Sequence, residues 1–175
     1  MIELPDKKYM TIYADPPWKQ TMSGKYNHPK RNKRVDELPY PTMSLDEIKD
    51  MSISNISDIG CHLWLWTTNQ FLKQGFEVME AWGFKYLAPI IWIRPSGTGN
   101  YFVHRTQTLL FGYNQKCYFN RERYKPNIIF AGVPRKHSKK PKEMYELIES
   151  ISDTPRIELF ARQKREKWDS WGNEI

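Results

Sequence analysis

The sequence has little cysteine and no long hydrophobic run, and each absence excludes a class of protein. Only two of its 175 residues are cysteines, Cys61 and Cys117, and neither lies beside histidines at the spacing of zinc ligands. We therefore expect reduced cysteines and no bound metal. No stretch approaches the roughly 20 apolar residues that a membrane-spanning helix needs, so no membrane association is expected.

The N-terminal segment lacks the features of a secretory signal. It carries the acidic residues Glu3 and Asp6 and has no apolar central region. The expected location is therefore cytoplasmic, with association with the nucleoid if DNA is the partner. The length of the chain predicts a single domain over residues 1–175.

Positive charge and aromatic side chains are abundant. The net charge is +7, the aromatic content is 14%, and lysine and arginine cluster within residues 25–34, 135–142 and 162–167. Basic clusters combined with aromatic side chains are typical of nucleic-acid-binding proteins. The alternative for each cluster is a solvated, charged surface.

Apolar patterning predicts strands that alternate with helices. Ser44 and Glu47 form a capping box for a short helix, Asn69 is the expected N-cap of a second helix that ends at Gly83, and Pro141 opens a third. The predicted strands cover residues 10–14, 62–67, 87–93, 108–113, 127–130 and 156–161. This pattern predicts an α/β fold with a mostly parallel sheet flanked by helices. The glycine- and proline-containing segment 94–99 is expected to be a flexible loop.

The tetrapeptide Asp15-Pro16-Pro17-Trp18 directly follows the first predicted strand. In parallel sheets ligands bind beyond the carboxyl ends of the strands, which is where Asp15 is expected. The prolines make a stiff turn that exposes carbonyl oxygens, Asp15 adds a carboxylate, and Trp18 adds a flat apolar face. Such a turn suits a planar heterocycle that bears an NH₂ group. The alternative is an ordinary strand terminator.

An adenine amine fits this turn chemically. It is a poor nucleophile because its lone pair is delocalised into the ring. Two acceptors that hold both amine hydrogens would favour a pyramidal nitrogen and aim its lone pair at an electrophile, such as the sulfonium methyl of S-adenosylmethionine. Positioning and electrostatics would then provide most of the catalysis.

Four motifs, in order, resemble the adenine N6-methyltransferase family of the messenger-RNA N6-adenosine methyltransferase catalytic subunit. They are ADPPW, LPYPTMSLDEI, HSKKPKEMYELIE and RIELFARQKREKWDSWGNE, and together they cover most of the chain. The resemblance implies a Rossmann-like fold dependent on S-adenosylmethionine, with a permuted motif order because the catalytic turn precedes the cofactor strand. It implies methyl transfer to the exocyclic N6 amine of adenine in nucleic acid.

The resemblance also assigns roles to individual residues. The catalytic turn is Asp15, Pro16, Pro17 and Trp18. The cofactor-binding set is Asp15, Lys140, Glu158, Phe160, Arg162, Asn173 and Glu174. Lys140 would contact the methionine carboxylate, Glu158 would accept hydrogen bonds from hydroxyl groups, and the terminal pair would hold the ribose. The alternatives are a solvated charge for Lys140 and a surface ion pair with Arg156 or Arg162 for Glu158.

The substrate would be gripped beside this turn. Trp18 and Tyr40 are expected to line the adenine pocket, whereas Trp92 suits the pocket and the core equally. The phosphates are expected to be bound, while the target adenine is flipped out, by Lys25, Lys30, Arg31, Lys33 and Arg34. The alternative for these residues is a solvated loop. The segment 94–105 would close over the base or contact a partner chain.

DNA is favoured over RNA as the polymer, and a homodimer or a heterodimer is compatible with the sequence. The competing hypothesis is a non-catalytic scaffold subunit that binds nucleic acid within a methyltransferase heterodimer. The intact Asp15-Pro16-Pro17-Trp18 turn argues against that hypothesis.

Overall fold

A computed structural model describes residues 3–19, 41–98, 101–119, 125–132, 140–173 and 175. Its strands are β1 (Tyr9–Ala14), β2 (Ser57–Thr67), β3 (Lys85–Thr98), β4 (His104–Tyr113), β5 (Ile128–Phe130), β6 (Arg156–Leu159) and β7 (Asp169–Trp171). Its helices are α1 (Leu45–Lys49), α2 (Leu72–Ala81) and α3 (Lys142–Ile151). No helix within these ranges is long and apolar enough to cross a membrane.

The strands form one sheet in the order β5-β3-β4-β2-β1-β6-β7. Strand β4 runs antiparallel to both of its neighbours, whereas the other neighbouring strands pair in parallel. The predicted α/β fold with a mostly parallel, helix-flanked sheet is confirmed. Because β1 lies between β2 and β6, its carboxyl end lies in the middle of one sheet edge, beside residues from distant parts of the sequence.

Each face of the sheet has its own apolar core. One face packs Ile12 and Ala14 with Ile48 of α1 and Met79 of α2. The opposite face is aromatic, and its buried members include Tyr13, Trp64, Trp66, Tyr145 and Trp168. Successive residues of a strand point to opposite faces, which is why Tyr13 joins the aromatic core while its neighbours join the other. We call this second core the aromatic face.

The helix termini follow the sequence prediction in part. Ser44 and Glu47 form the predicted capping box, with each side chain bonded to the other residue's backbone N–H. Gly83 ends the second helix at a φ of 82°, as expected of a glycine beyond a helix. The predicted N-cap Asn69 is wrong: α2 begins at Leu72, and the Asn69 amide lies 2.9 Å from Nδ1 of His104. A tertiary partner therefore takes the side chain that would have capped the helix.

The expectation of a flexible loop at residues 94–99 is wrong for its described part. Strand β3 continues through Thr98, which pairs with His104 of β4. A side chain at Gly97 would collide with the backbone carbonyl of His104, so the two strands approach closely where the residue has no Cβ. At the tip of this hairpin Tyr101 is 96% and Phe102 77% exposed. Closure of this segment over a base stays a prediction.

The C-terminal segment is tied into the fold. Strand β7 pairs with β6, and the indole N–H of Trp171 donates to the backbone carbonyl of Glu3 at 2.9 Å. The backbone N–H of Ala161 donates to the carbonyl of Trp171. A Cβ at Gly172 would lie 2.6 Å from the Ala161 oxygen, so this close approach requires glycine. The strand was not predicted, because three residues are too few to show a period.

Candidate active site

Residues of β1 and of its two neighbours, β2 and β6, meet at the carboxyl end of β1. Asp15 follows the last residue of β1. In the sheet register Ala14 lies opposite Leu65 of β2, and Tyr13 lies opposite Glu158 of β6. Trp66 and Glu158 are therefore brought to the same edge as Asp15, on the aromatic face.

Asp15 forms an ion pair with Lys140, the residue before Pro141 and α3. The Nζ of Lys140 lies 3.0 Å from Oδ2 of Asp15, and the lysine side chain is only 11% exposed. The same Nζ lies 3.5 Å from Oε1 of Gln107 in β4 and 4.7 Å from the centre of the Trp66 ring. A solvated charge, the alternative considered for Lys140, does not describe this position. The ammonium is held against the Asp15-Pro16-Pro17-Trp18 turn by a carboxylate, an amide and an aromatic face.

The backbone of the turn is closed by hydrogen bonds. The N–H of Trp18 donates to the carbonyl of Pro16, and the N–H of Met43 donates to the carbonyl of Pro17, both at 2.9 Å. These bonds fix the direction in which the two proline carbonyls point. Each carbonyl oxygen keeps a second lone pair, which can accept one further hydrogen bond.

Trp18 is part of the core in this structure. Its side chain is 6% exposed, its indole N–H donates to the carbonyl of Trp66, and its ring stacks on Phe71 at a centroid distance of 5.4 Å. The ring thus anchors the turn to the rest of the fold, because burial of an indole is strongly favourable. Its role as a stacking platform for adenine stays a prediction. That role needs an exposed ring face, whereas the ring of Trp18 is buried in this structure.

The sequence left the adenine pocket and the core as alternatives for Trp92, and the structure places it in the core. Its ring is buried, its N–H donates to the carbonyl of Ala131, and it meets Trp66 edge to face.

Several predicted site residues lie outside the described part of the chain. They are Lys25, Lys30, Arg31, Lys33, Arg34, Tyr40 and Glu174.

Glu158 is a buried carboxyl group. The Tyr145 hydroxyl donates to its Oε1 at 2.9 Å, and burial raises the pKa of Glu158 to about 7. The surface ion pair considered with Arg156 is not formed, since that guanidinium donates to the backbone carbonyls of Ser152 and Glu149. A carboxyl group with this pKa exists in both protonation states near neutral pH.

The other predicted cofactor residues follow β6 and β7. Phe160 has a φ of 60°, unusual for a residue with a side chain, and its ring packs edge to face against Trp171. Arg162 lies two residues further on and is half-buried, while Asn173 is exposed just beyond β7. The register of β1, β6 and β7 places all three beyond the sheet edge that carries Asp15.

Sequence reasoning missed Gln107, Trp66, Tyr13 and Tyr145. The indole N–H of Trp66 donates to the Tyr13 hydroxyl at 2.7 Å, and the rings of Tyr13 and Tyr145 lie 5.0 Å apart. Strand alternation could have placed Tyr13 and Trp66 on the face opposite Ala14. Their polar contacts had no sequence signal, because a buried tyrosine or tryptophan in an apolar strand is typical of a core.

Comparisons with known proteins show what the chain is similar to. A family model described as MT-A70 matches residues 9–174. The putative N(6)-adenosine-methyltransferase MT-A70-like of Medicago truncatula is 34% identical over 180 residues, which are 96% of this chain and 26% of that protein. The N(6)-adenosine-methyltransferase catalytic subunit METTL3 of Homo sapiens is 31% identical over 96% of this chain and 28% of its own length.

A shorter relative is matched over most of its length. The type II methyltransferase M.MunI of Mycoplasma sp is 30% identical over 190 residues, which are 99% of this chain and 80% of that protein. The chain thus spans about a quarter of the plant and human relatives. The shared part includes the turn at Asp15 and the segments that carry Lys140 and Glu158.

Proposed function

Because the chain belongs to the MT-A70 family, we propose that it transfers a methyl group from S-adenosylmethionine to the N6 amine of adenine in nucleic acid. The observation that carries this proposal is the ion pair between Asp15 and Lys140 at the carboxyl end of β1. It supplies a fixed carboxylate acceptor in a stiff turn, at the position where sheets of this kind bind ligands.

The residues of the turn act on the amine by hydrogen bonding. An ionised carboxylate has about four acceptor positions, so Asp15 can hold Lys140 and still accept an amine hydrogen. The carbonyl of Pro16 or Pro17 can accept the second one through its remaining lone pair. Held by both, the nitrogen lone pair points away from the acceptors. The carboxylate would stabilise the positive charge that develops on nitrogen as the C–N bond forms and the sulfur–methyl bond breaks, with S-adenosylhomocysteine as the leaving group. The methylated nitrogen then loses one proton, to the Asp15 carboxylate or to water.

The described residues fit a nucleoside cofactor with an amino-acid end. S-adenosylmethionine supplies an electrophilic methyl group on a cationic sulfur. Lys140 can pair with its carboxylate, and Glu158 has a buried oxygen, Oε2, without a hydrogen-bond partner among the described residues. An orphaned buried acceptor of this kind suits a ribose hydroxyl. Phe160, Arg162 and Asn173 lie beyond the same sheet edge and would complete the site.

The nucleic-acid partner follows from charge and from the relatives. The net charge of +7 suits a phosphate backbone, and the basic segment 24–34 is joined directly to the catalytic turn. We favour DNA over RNA as the polymer; the relatives include the type II methyltransferase M.MunI as well as the human N(6)-adenosine-methyltransferase subunit.

The test is methyl transfer from isotopically labelled S-adenosylmethionine to DNA and RNA oligonucleotides, followed by mass spectrometry of the nucleosides. We expect labelled N6-methyladenine from DNA, and less or none from RNA. Labelled product only from RNA would overturn the polymer assignment alone. No product from either polymer, together with no S-adenosylmethionine binding in calorimetry, would overturn the proposed activity and favour the scaffold subunit.

A further inference from the structure

A chain of buried hydrogen bonds and ring contacts joins the two parts of the proposed cofactor site. It begins at Trp66, whose ring lies under the Lys140 ammonium and whose N–H donates to Tyr13. The ring of Tyr13 packs against the ring of Tyr145 at a centroid distance of 5.0 Å. Tyr145 in turn donates to Oε1 of Glu158. The chain therefore connects the proposed carboxylate contact to the proposed hydroxyl contact.

Glu158 has one oxygen in use and one free. Oε1 accepts from Tyr145, whereas Oε2 is buried and has no partner among the described residues. A buried carboxylate oxygen without a donor destabilises a protein, and such atoms in native structures are nearly always partnered. The donor for Oε2 must therefore lie outside the described residues or belong to a bound molecule.

Charged and titratable groups face Glu158 from several elements. Burial raises its pKa, and the negative charge of Asp15 in the catalytic turn raises it further. The Tyr145 hydroxyl of α3 and the guanidinium of Arg165 lower it. Tyr13 of β1 lies on the same aromatic face, and its own pKa is raised chiefly by burial and further by Tyr145 and the Glu158 carboxylate. The Tyr145 hydrogen bond is thus a force that favours the ionised form of Glu158.

The ring and the hydroxyl group of Tyr145 make different contacts, which can be tested separately. The ring packs against Tyr13 and Trp168, and the guanidinium carbon of Arg165 lies 3.6 Å from its centre. A phenylalanine ring would fill the same space and make the same ring contacts. The hydroxyl, by contrast, donates to Glu158. Removal of the hydroxyl alone therefore tests its action on the carboxylate.

We infer that Tyr145 is a positioning residue whose hydroxyl orients the Glu158 carboxylate and keeps it ionised, so that Oε2 accepts a hydrogen bond from a hydroxyl group of the nucleoside cofactor. The inference rests on the proposed function. It adds a residue that touches neither the reacting atoms nor the cofactor, and it makes cofactor affinity depend on the protonation of one buried acid.

The experiment is calorimetric titration of the protein with S-adenosylhomocysteine between about pH 6 and pH 9, on both sides of the Glu158 pKa of about 7. In the parent protein affinity falls as the pH drops through this value, because the protonated acid is a weaker acceptor. Tyr145→Phe is expected to weaken binding most at and below the parent midpoint, by up to about tenfold for each unit by which the Glu158 pKa rises. At the alkaline end the carboxylate is ionised in both proteins, and the remaining loss reports its orientation alone. The midpoint of the pH dependence moves upward, since the ionised form has lost a donor.

Two further comparisons separate positioning from a structural effect. Glu158→Gln is expected to weaken binding and to abolish the pH dependence near neutrality, and Tyr145→Phe added to it has no further effect. The 2′,3′-dideoxy analogue of S-adenosylhomocysteine binds parent and Tyr145→Phe with equal affinity. Tyr86→Phe, in a tyrosine of β3 that is 43% exposed, is the matched control and binds like the parent.

The outcomes are distinguishable. An unchanged affinity and pH midpoint in Tyr145→Phe would overturn the inference, as would an undiminished effect in the Glu158→Gln background. If Tyr145→Phe does not fold, the pH profile of Glu158→Gln decides: a pH dependence equal to that of the parent overturns the inference. Failure of the parent protein to bind S-adenosylhomocysteine at any pH would contradict the proposed function itself.

Discussion

The ammonium of Lys140 lies 3.0 Å from the carboxylate of Asp15, although the two residues are far apart in the sequence. The contact joins the turn after β1 to the segment before α3. It places a cation beside the acceptor that the proposed reaction needs, in a position sheltered enough for the pairing to matter energetically.

Asp15→Asn should reduce methyl transfer at least about 100-fold, because the amide provides neither the charge nor both acceptor oxygens. The measurement is single-turnover transfer to an adenine-containing oligonucleotide. Asp46→Asn, in the first turn of α1, is the control and should transfer at the parent rate. Substantial turnover in Asp15→Asn, with an unchanged unfolding midpoint, would refute the assigned role.

Lys140→Met should weaken S-adenosylmethionine binding about tenfold or more, since the cofactor carboxylate loses a charged hydrogen-bond partner. The variant leaves the aliphatic part of the side chain in place against Trp66. Lys142→Met is the matched control, because its exposed pairing with Glu146 contributes little. Equal affinities of the two variants, measured by calorimetry, would remove Lys140 from the cofactor site.

Trp18→Ala should lower the free energy of unfolding by about 3–5 kcal/mol, the usual effect of removing a buried large aromatic side chain. The measurement is urea denaturation. Tyr101→Ala, at the exposed hairpin tip, should stay within about 0.5 kcal/mol of the parent. If Trp18→Ala kept the parent stability and lost only affinity for adenine, the ring would be a binding platform rather than an anchor of the turn.

The contribution of His62 to the free energy of unfolding should increase with pH in the acidic range. The hydroxyl of Ser152 accepts from the indole N–H of Trp64 and lies 2.8 Å from Nδ1 of the buried His62. Burial lowers the pKa of His62 to about 4 from 6.5. Between these values the unfolded chain binds the additional proton, so stability is lost as the pH falls, at up to about 1.4 kcal/mol per pH unit.

Glu158 acts in the opposite direction. Its pKa is raised from 4.5 to about 7, so the folded state binds the additional proton in that window and stability falls as the pH rises. From pH 4.5 to 6.5 the two contributions largely cancel in the parent protein. His62→Gln should therefore leave a decrease of stability over that window, whereas Glu158→Gln should leave an increase. Urea denaturation at several pH values measures both slopes. Parallel curves for parent and His62→Gln would contradict the assignment.

Replacement of Lys30, Arg31, Lys33 and Arg34 by alanine should weaken binding to all nucleic-acid sequences and flatten its salt dependence, because fewer counterions are released. Fluorescence anisotropy at several salt concentrations measures both quantities. Alanine at the described lysines 49, 73, 85 and 116 removes the same charge and serves as the control. If both variants changed the salt slope equally, the segment beside the turn would have no special role.

Much of the fold could be predicted from local pattern. The strand that ends at Ala14, the capping box of Ser44 and Glu47 and the glycine stop at Gly83 each depend on residues close together in sequence, and all three are found in the structure. The wrong predictions involve tertiary partners. Asn69 contacts His104 instead of capping a helix, and Gly97 lies in a strand because a neighbouring strand approaches where it has no side chain.

The sequence by itself determined the class of fold, the position of the acidic turn after a strand and the family to which the motifs point, because each is encoded by neighbouring residues. The tertiary structure decided that Trp18 packs into the core, that Lys140 pairs with Asp15 and that Tyr145 holds Glu158. These contacts depend on the order of β2, β1 and β6 in the sheet and on their register. That order follows from the packing of the whole chain, which no short stretch of sequence specifies.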